Sequence, residues 1–311
     1  MSFSSETKDE LCRIRLKKKE HRLAVLAGLT QTCGTLRLSQ PPVVYYQSEN
    51  EAVIDLAVSL VSQLYPIEPE KGVKEQEHRQ FPLSVAIVRG AACRKLLLDT
   101  GILSSGTDGL TFKKHIPDDL ILEEQTRKCF LRGVFLGAGS CSDPEHGYHL
   151  EIACRSENFS ESVSAVISSF QLNARSTFRK ERPIVYLKGN DVSGFLALIG
   201  ANSAALKMED TRVMKDYRNY INRTSNCETA NIGKTVSAGI AQLRAIDLIE
   251  EHLSLTGLPA PLQEAAMLRL QHPDATLQEL ADMAGIGKSG MNHRFARLLA
   301  IANEFEDIRN E

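Results

Sequence analysis

Residues 26–34 read Leu-Ala-Gly-Leu-Thr-Gln-Thr-Cys-Gly, and residues 131–139 read Leu-Arg-Gly-Val-Phe-Leu-Gly-Ala-Gly. Aligned, Gly28 falls against Gly133 and Gly34 against Gly139. Each run closes a helical segment, 20–33 in the first case and 119–138 in the second. Small residues at matched positions let two helix backbones approach closely, so the spacing predicts a central two-helix seam. The segments downstream of the two runs are alike in kind. After the first come a strand-like stretch 35–46 containing Pro41 and Pro42, a helix 49–64, a strand 83–88 and a helix 90–99. After the second come a strand 148–154, a helix 158–172, a strand 183–188 and a short helix Val192–Leu198. An order used twice points to internal duplication.

Around this frame the pattern is plainer. An opening helix over 4–19, with a capping Ser, ends in Lys17, Lys18 and Lys19, where cations suit the negative end of a helix dipole. Helix 49–64 lines up Ala52, Val53, Leu56, Ala57, Leu60 and Leu64 on one face. Pro66–Phe81 is polar and reads as a loop. The chain has 311 residues, 42% hydrophobic and 24% charged, with a net charge of −2. That length suits two or three cored domains, and the near-neutral charge leaves any nucleic-acid binding to local patches. No apolar run reaches the length of a membrane span, and the N-terminus lacks the apolar core of a signal peptide, so a cytoplasmic location is expected. Seven cysteines without C-x-x-C spacing read as free thiols. Cys141, His146 and His149 are zinc-ligand types, but they lack the partner cluster that a structural site uses. No metal or cofactor is expected.

Near the C-terminus, residues 276–299 form the second informative stretch. Thr276 can cap a helix, with Glu279 completing a capping box. Leu277, Leu280, Ala281 and Ala284 then give that helix an apolar face, Gly285 makes the turn and Ile286 plugs the corner. A second helix buries Met291, Phe295 and Leu298 and shows Lys288, Ser289, Asn292, His293, Arg294 and Arg297, with no acid between Ile286 and Ala300. Those side chains can reach base edges and phosphates from a major groove, so the unit reads as a helix-turn-helix. Ser289, Asn292, His293 and Arg297 are the candidates for base edges, with Lys288 and Arg294 for phosphates. A first helix over 261–271, packing through Leu262, Ala266 and Leu270, completes a three-helix core. From residue 220 onward eight Lys or Arg face twelve Asp or Glu, a balance of −4. Binding by this module alone should therefore be weak and salt-sensitive.

The two nonapeptides resemble the LAGLIDADG motifs of homing endonucleases. Paired with a C-terminal helix-turn-helix, they are similar to the WhiA family of bacterial sporulation and cell-division regulators. The resemblance runs through the opening MSFSSETKDEL, LRGVFLGAGS (131–140), YHLEI (148–152), RNYINRTSNCETANIGKT (218–235) and KSGMNHR (288–294). It implies an α+β N-terminal part, two LAGLIDADG-type αββ repeats forming a saddle-like sheet, joined to an all-α helix-turn-helix domain. The implied division is a first repeat in 1–112, a second in 113–215, a connector and long helix in 216–260, and the DNA-binding domain in 261–311. In nucleases of this kind the eighth motif residue is an acid, and the two carboxylates hold divalent metal. Carried over, those positions are Cys33 and Ala138, which are unsuited to a hard cation. Asp143 and Glu145 fall beyond the helix end. The resemblance therefore implies a DNA-binding regulator, associated with the nucleoid, acting on double-stranded DNA and with other transcription or cell-division proteins as further partners. The alternatives are a surviving metal-dependent endonuclease and an adaptor that binds a protein or small ligand.

Two further surfaces stand out. Arg175, Arg179, Lys180, Arg182 and Lys188 lie on or beside late strands, with Glu181 opposing them, and offer phosphate contacts. Glu68, Glu70, Glu75 and Glu77, with Lys71, Lys74 and Arg79, suit a protein partner as well as DNA. The connector Lys207–Lys234, rich in Asn and Arg, reads as a hydrogen-bonded junction. The long helix after it, about 228–253, carries Ile232, Val236, Ile240, Leu243, Ile246 and Ile249 at helical intervals.

Overall fold

The structure, a computed structural model, describes residues 2–37, 42–75, 82–106, 109–112 and 116–310. It separates into two units, Met1–Lys215 and Asp216–Glu311. The first unit opens with α1 (Phe3–Cys12) and then uses one plan twice. The first pass is α2 (Lys19–Thr32), β1 (Gly34–Arg37), β2 (Val43–Ser48), α3 (Glu51–Leu64), β3 (Glu70–Lys74), β4 (Leu83–Arg89) and α4 (Gly90–Asp99). A small hairpin of β5 (Leu103–Gly106) and β6 (Gly109–Phe112), with the short α5 (Asp118–Ile121), leads to the second pass. This runs α6 (Glu124–Ala138), β7 (Gly139–Cys141), β8 (His149–Ala153), α7 (Glu157–Ser168), β9 (Arg175–Arg179), β10 (Arg182–Lys188) and α8 (Asn190–Ile199). The two sheets have strand orders β1-β2-β4-β3 and β7-β8-β10-β9, the same antiparallel arrangement in each repeat.

The seam is the α2–α6 pair. A Cβ on Gly28 would sit 2.4 Å from the Phe130 carbonyl oxygen, and one on Gly133 only 2.1 Å from that of Val25. Each glycine thus lies on the other helix's backbone, which is why the motifs need small residues there. Seven successive residues of α2, Ala24–Thr30, are buried, because a central helix has neighbours on all sides rather than one apolar stripe. Phe130, Leu131, Val134 and Phe135 of α6 fill the other half of this core.

Several boundaries differ from expectation. The opening helix ends at Cys12 rather than Lys19, and α2 starts at Lys19. Arg22 donates to the carbonyls of Leu16 (2.9 Å) and Lys17 (2.8 Å), satisfying the non-helical link between α1 and α2. The three lysines therefore sit at the N-terminal end of α2, so the dipole explanation for them fails. The helix expected over 119–138 is two, α5 and α6, with Glu123 extended between them. The loop expected over 66–81 contains β3, an edge strand whose residues are all exposed and which is held by pairing to β4. Of the acidic and basic groups read on that loop, Glu77 and Arg79 lie outside the described residues. Lys71 pairs with Glu51 (2.8 Å) and Asp55 (2.5 Å), and Arg89 with Glu70 (3.2 Å).

The connector is one continuous helix, α9 (Asn202–His252), where the sequence suggested a junction followed by a separate helix. In the second unit the end of α9 leads through a 3₁₀ turn, Leu255–Gly257, to α10 (Ala260–Gln271), α11 (Leu277–Met283) and α12 (Lys288–Asn310). Ile246, Ile249, Ala265, Ala266, Leu280, Ala281, Met291, Phe295, Leu298 and Ala302 make its core. Helix α10 is rotated from the expected face. It buries Ala265, Ala266 and Arg269, while Leu262 is only partly covered and Leu270 is exposed. Ile232, Val236 and Ile240 of α9, expected to pack, are exposed by 65%, 55% and 63%.

Candidate nucleic-acid interface

The turn between α11 and α12 is built by local chemistry. The Thr276 hydroxyl accepts from the Glu279 backbone N–H (3.3 Å), and the Glu279 carboxylate accepts from the Thr276 N–H (2.7 Å). These bonds hold the Glu279 carboxyl below its ordinary pKa. Thr276 thus serves as a cap, its side chain committed within the helix start. Gly285 adopts φ +66°, a left-handed conformation that favours glycine, and Ile286 packs into the core beneath it. On α12, Met291, Phe295 and Leu298 point inward, and burial of three large apolar side chains at helical spacing fixes the helix's rotation. Lys288, Ser289, Asn292, His293 and Arg297 are consequently exposed together on the outer face. Arg294 differs: its Nη1 donates to Glu264 of α10 at 2.7 Å, and its side chain is only 19% exposed. It holds α12 to α10 as well as flanking the outer face.

One residue that sequence reading counted only as a charge organises this unit. Arg269 is 3% exposed. Its Nε donates to Gln242 of α9 (3.0 Å), and its Nη1 to the carbonyls of Ala275 (2.6 Å), Pro273 (3.1 Å) and His272 (3.4 Å). Its guanidinium also lies 5.5 Å from the Phe295 ring centre. Burial draws its pKa below the usual arginine value, and a desolvated cation persists only when so many acceptors surround it. The fork therefore fixes the segment leading into α11 and the base of α12 at once. A cation on the same helical face as Ala265 and Ala266 was the available signal.

In the first unit, register places His149, Glu151, Arg175, Thr177, Arg179, Arg182, Ile184, Tyr186 and Lys188 on one face of the second sheet. Leu150, Ile152, Val185 and Leu187 turn to the core on the other. The exposed face is cationic, with a correction: Arg179 pairs with Glu151 on β8 at 2.6 Å, so Glu181 is not the sole opposing acid. Lys180 and Glu181 both have positive φ, 47° and 64°, and form the tight turn between β9 and β10. Arg175 lies opposite Tyr186 and Arg182 opposite Arg179, at the two ends of the β9–β10 pair.

The degenerate metal positions lie at the seam's end. Cys33 caps α2 and is buried, its thiol donating to the Leu29 carbonyl at 3.3 Å; Ala138 is the last residue of α6. Burial pushes the Cys33 thiol up to about 11, against the pull of Lys8 and Arg155. Arg155 donates to the carbonyls of Thr32 and Gly34, on either side of Cys33. Lys8 of α1 has its pKa lowered by burial, opposed by Cys33 and Cys141. Two cations, Lys8 and Arg155, thus act on Cys33, the first of the two positions at which the LAGLIDADG resemblance implies a carboxylate. Asp143 and Glu145 lie in the β7–β8 loop, where the Asp143 carboxylate accepts from the Glu145 N–H (2.9 Å) and Lys215 donates to the Glu145 carbonyl (2.7 Å). Cys141 faces Thr7 of α1 at 3.9 Å, with its backbone N–H donating to Ser4. Among the described residues no three His, Cys, Asp or Glu side chains are grouped as a metal site. All seven cysteines are free, and Cys227 is exposed.

The middle of α9 is also not the hydrogen-bonded junction expected. Residues 216–238 are exposed throughout. They include Asn219, Asn222, Thr224, Ser225, Asn226, Thr229, Asn231, Gly233, Thr235 and Ser237. At about 0.5 kcal/mol each relative to alanine, these disfavour the helix by roughly 5 kcal/mol.

Two glycine-seamed repeats with Cys33 and Ala138 at the motif's acid positions, joined to a capped helix-turn-helix, define the class: a degenerate LAGLIDADG scaffold carrying a helix-turn-helix module. The WhiA LAGLIDADG-like domain matches residues 127–218, and the WhiA C-terminal HTH domain matches residues 221–302. The chain is 37% identical over its whole length to a "Probable cell division protein WhiA" of Clostridium novyi, covering 99% of that protein. It is 39% identical over its whole length to one of Staphylococcus epidermidis, covering 98%. A crystal structure of full-length DUF199/WhiA from Thermatoga maritima shares the fold, with 24% identity, a TM-score of 0.60, and coverage of 98% of this chain and 99% of that one. The N-terminal LAGLIDADG domain of DUF199/WhiA matches with 21% identity and a TM-score of 0.52, over 64% of this chain and 90% of that one. The chain belongs to the WhiA family. No helix among its described residues is long and apolar enough to cross a membrane.

Proposed function

We propose that this protein is a non-enzymatic, nucleoid-associated DNA-binding regulator of bacterial cell division and chromosome segregation, and of sporulation where the host sporulates. The observation that carries this reading is the outer face of α12, where Lys288, Ser289, Asn292, His293 and Arg297 stand exposed on a helix whose start is fixed by the Thr276–Glu279 cap and Gly285. Ser289, Asn292, His293 and Arg297 would meet base edges in a major groove, while Lys288 would meet phosphate. The relatives' name as cell division proteins supports the biological setting. Replacement of both motif acids and the cations gathered at the same place support a scaffold used for binding rather than for cutting.

The test is Arg297→Ala in the full chain. Duplex affinity should drop by about 5- to 150-fold, a loss of about 1–3 kcal/mol, and Tm should stay unchanged because the side chain is exposed. Equal affinity across a salt titration would remove α12 from the interface. Plasmid incubated with Mg²⁺ or Mn²⁺ should remain intact; nicking abolished by changing Asp143 or Glu145 would reinstate an endonuclease.

A further inference from the structure

The least expected surface of this chain is the exposed middle of α9. Asn219, Asn222, Asn226 and Ala230 succeed one another at three- and four-residue intervals, so they share a face, with Arg223 and Lys234 along its margin. Among the described residues none of the three asparagine amides, nor Arg223 or Lys234, bonds to another side chain. No acid lies in the stripe: Asp216 is a turn before it, and Glu228 is on the opposite side of the helix. Ala230 and Gly233 keep its floor low, with nothing within 4 Å of a Cβ built on Gly233. Asparagine is a poor helix former, and here neither propensity nor packing accounts for four of them in one exposed helical stretch. Positions where local preference and fold disagree are where a binding role is to be sought.

We infer that this face of α9 is a second contact surface for double-stranded DNA, separate from α12. Asparagine pairs with adenine through donor and acceptor together, arginine serves guanine or phosphate, and lysine serves phosphate. The face lacks the aromatic and large aliphatic anchors on which protein interfaces rely. Those are on the other side of the helix, where Tyr217, Ile221 and Ile232 are exposed. From residue 219 to 234 the helix rises about 23 Å, the length of about seven stacked base pairs. The inference rests on the DNA-binding reading of α12. Arg223 and Lys234 are two of the eight cations of the acidic C-terminal region, and here they are gathered away from its acids.

The test uses the full chain and a labelled mixed-sequence duplex of about 40 base pairs, titrated by fluorescence anisotropy at several salt concentrations. The variant Asn222→Ala/Arg223→Ala/Asn226→Ala should bind about tenfold more weakly at low salt, with a salt slope about one unit shallower; Arg223→Lys alone should keep the slope. Alanine favours the helix at all three positions, so weaker binding cannot be assigned to its melting. Ile221→Ala, on the opposite side, should bind as the parent does. If the triple variant keeps the parent's affinity and slope while Arg297→Ala still weakens binding, α9 does not touch DNA and α12 does. If the parent chain binds no duplex at all, both readings fall.

Discussion

Arg269→Met tests whether the helix-turn-helix is held by one buried cation. Methionine keeps the packing against Phe295 but removes the bonds to Gln242 and to the carbonyls of His272, Pro273 and Ala275. Gln242 is 6% exposed, so its amide oxygen loses its partner away from solvent, costing about 1–3 kcal/mol. The carbonyls belong to a surface segment, where water replaces part of each lost bond, and the buried guanidinium no longer has to be desolvated. Taking the upper part of the first range and a small remainder from the carbonyls gives a net loss of about 3 kcal/mol. For a unit of this size that lowers Tm by roughly 12–24 °C. Thermal unfolding of the full chain, followed by circular dichroism and by calorimetry, would show a component attributable to the helical unit moving by that amount. Arg269→Lys, which retains the charge but not the fork, should fall between the two. A shift below about 3 °C for Arg269→Met would refute the role, since it would mean that water or Gln242 alone satisfies the segment.

At the seam, Gly28→Ala would place a methyl 2.4 Å from the Phe130 carbonyl and 2.6 Å from the Val134 nitrogen. Helix backbone cannot move aside cheaply, so a loss of at least 1–3 kcal/mol in urea unfolding of the first unit is expected. Cys33, Cys93 and Cys154 are each raised to about 11 by burial and Cys12 to about 12, so their folded values lie above the ordinary thiol value. The stability they contribute is present below pH 9 and is lost as pH rises toward 11, because the unfolded chain sheds those protons first. Urea midpoints should fall across that window, and replacing Cys33, Cys93 and Cys154 with serine should flatten the fall. At pH 8 a thiol reagent should modify Cys227 rapidly in the native chain and these buried thiols only on unfolding; fast reaction of Cys33 would contradict its burial.

What the sequence showed and what it hid divide along physical lines. Gly28 and Gly133 were legible because a close helix crossing is a constraint on two residues alone, visible without knowing the fold. The Thr276–Glu279 cap and Gly285 were legible for the same reason. Strand β3 was not, because an exposed edge strand reading Glu-Lys-Gly-Val-Lys has no buried face to impose alternation, and its pairing comes from β4. The unbroken α9 was hidden because its local composition argues for a loop. Arg269 depends on Gln242, 27 residues earlier, and Arg294 on Glu264, 30 residues earlier, pairings that no periodicity announces. The N-terminal lysines misled because a cationic run suits a helix C-terminus equally well in sequence, while α1 ends at Cys12 and Arg22 holds the non-helical link after it.

The cations beside Cys33 set a barrier to any metal site at the end of the seam. A lineage that regained aspartate at position 33 would place the new carboxylate between Arg155 and the reach of Lys8, where it would form an internal ion pair and have little affinity left for magnesium. A second acid would still be needed at 138, the last residue of α6. Reversion therefore demands changes at four positions together, each without benefit until the others are made. The end of the seam acts as an evolutionary ratchet against metal binding, leaving selection free to reshape the scaffold's surface.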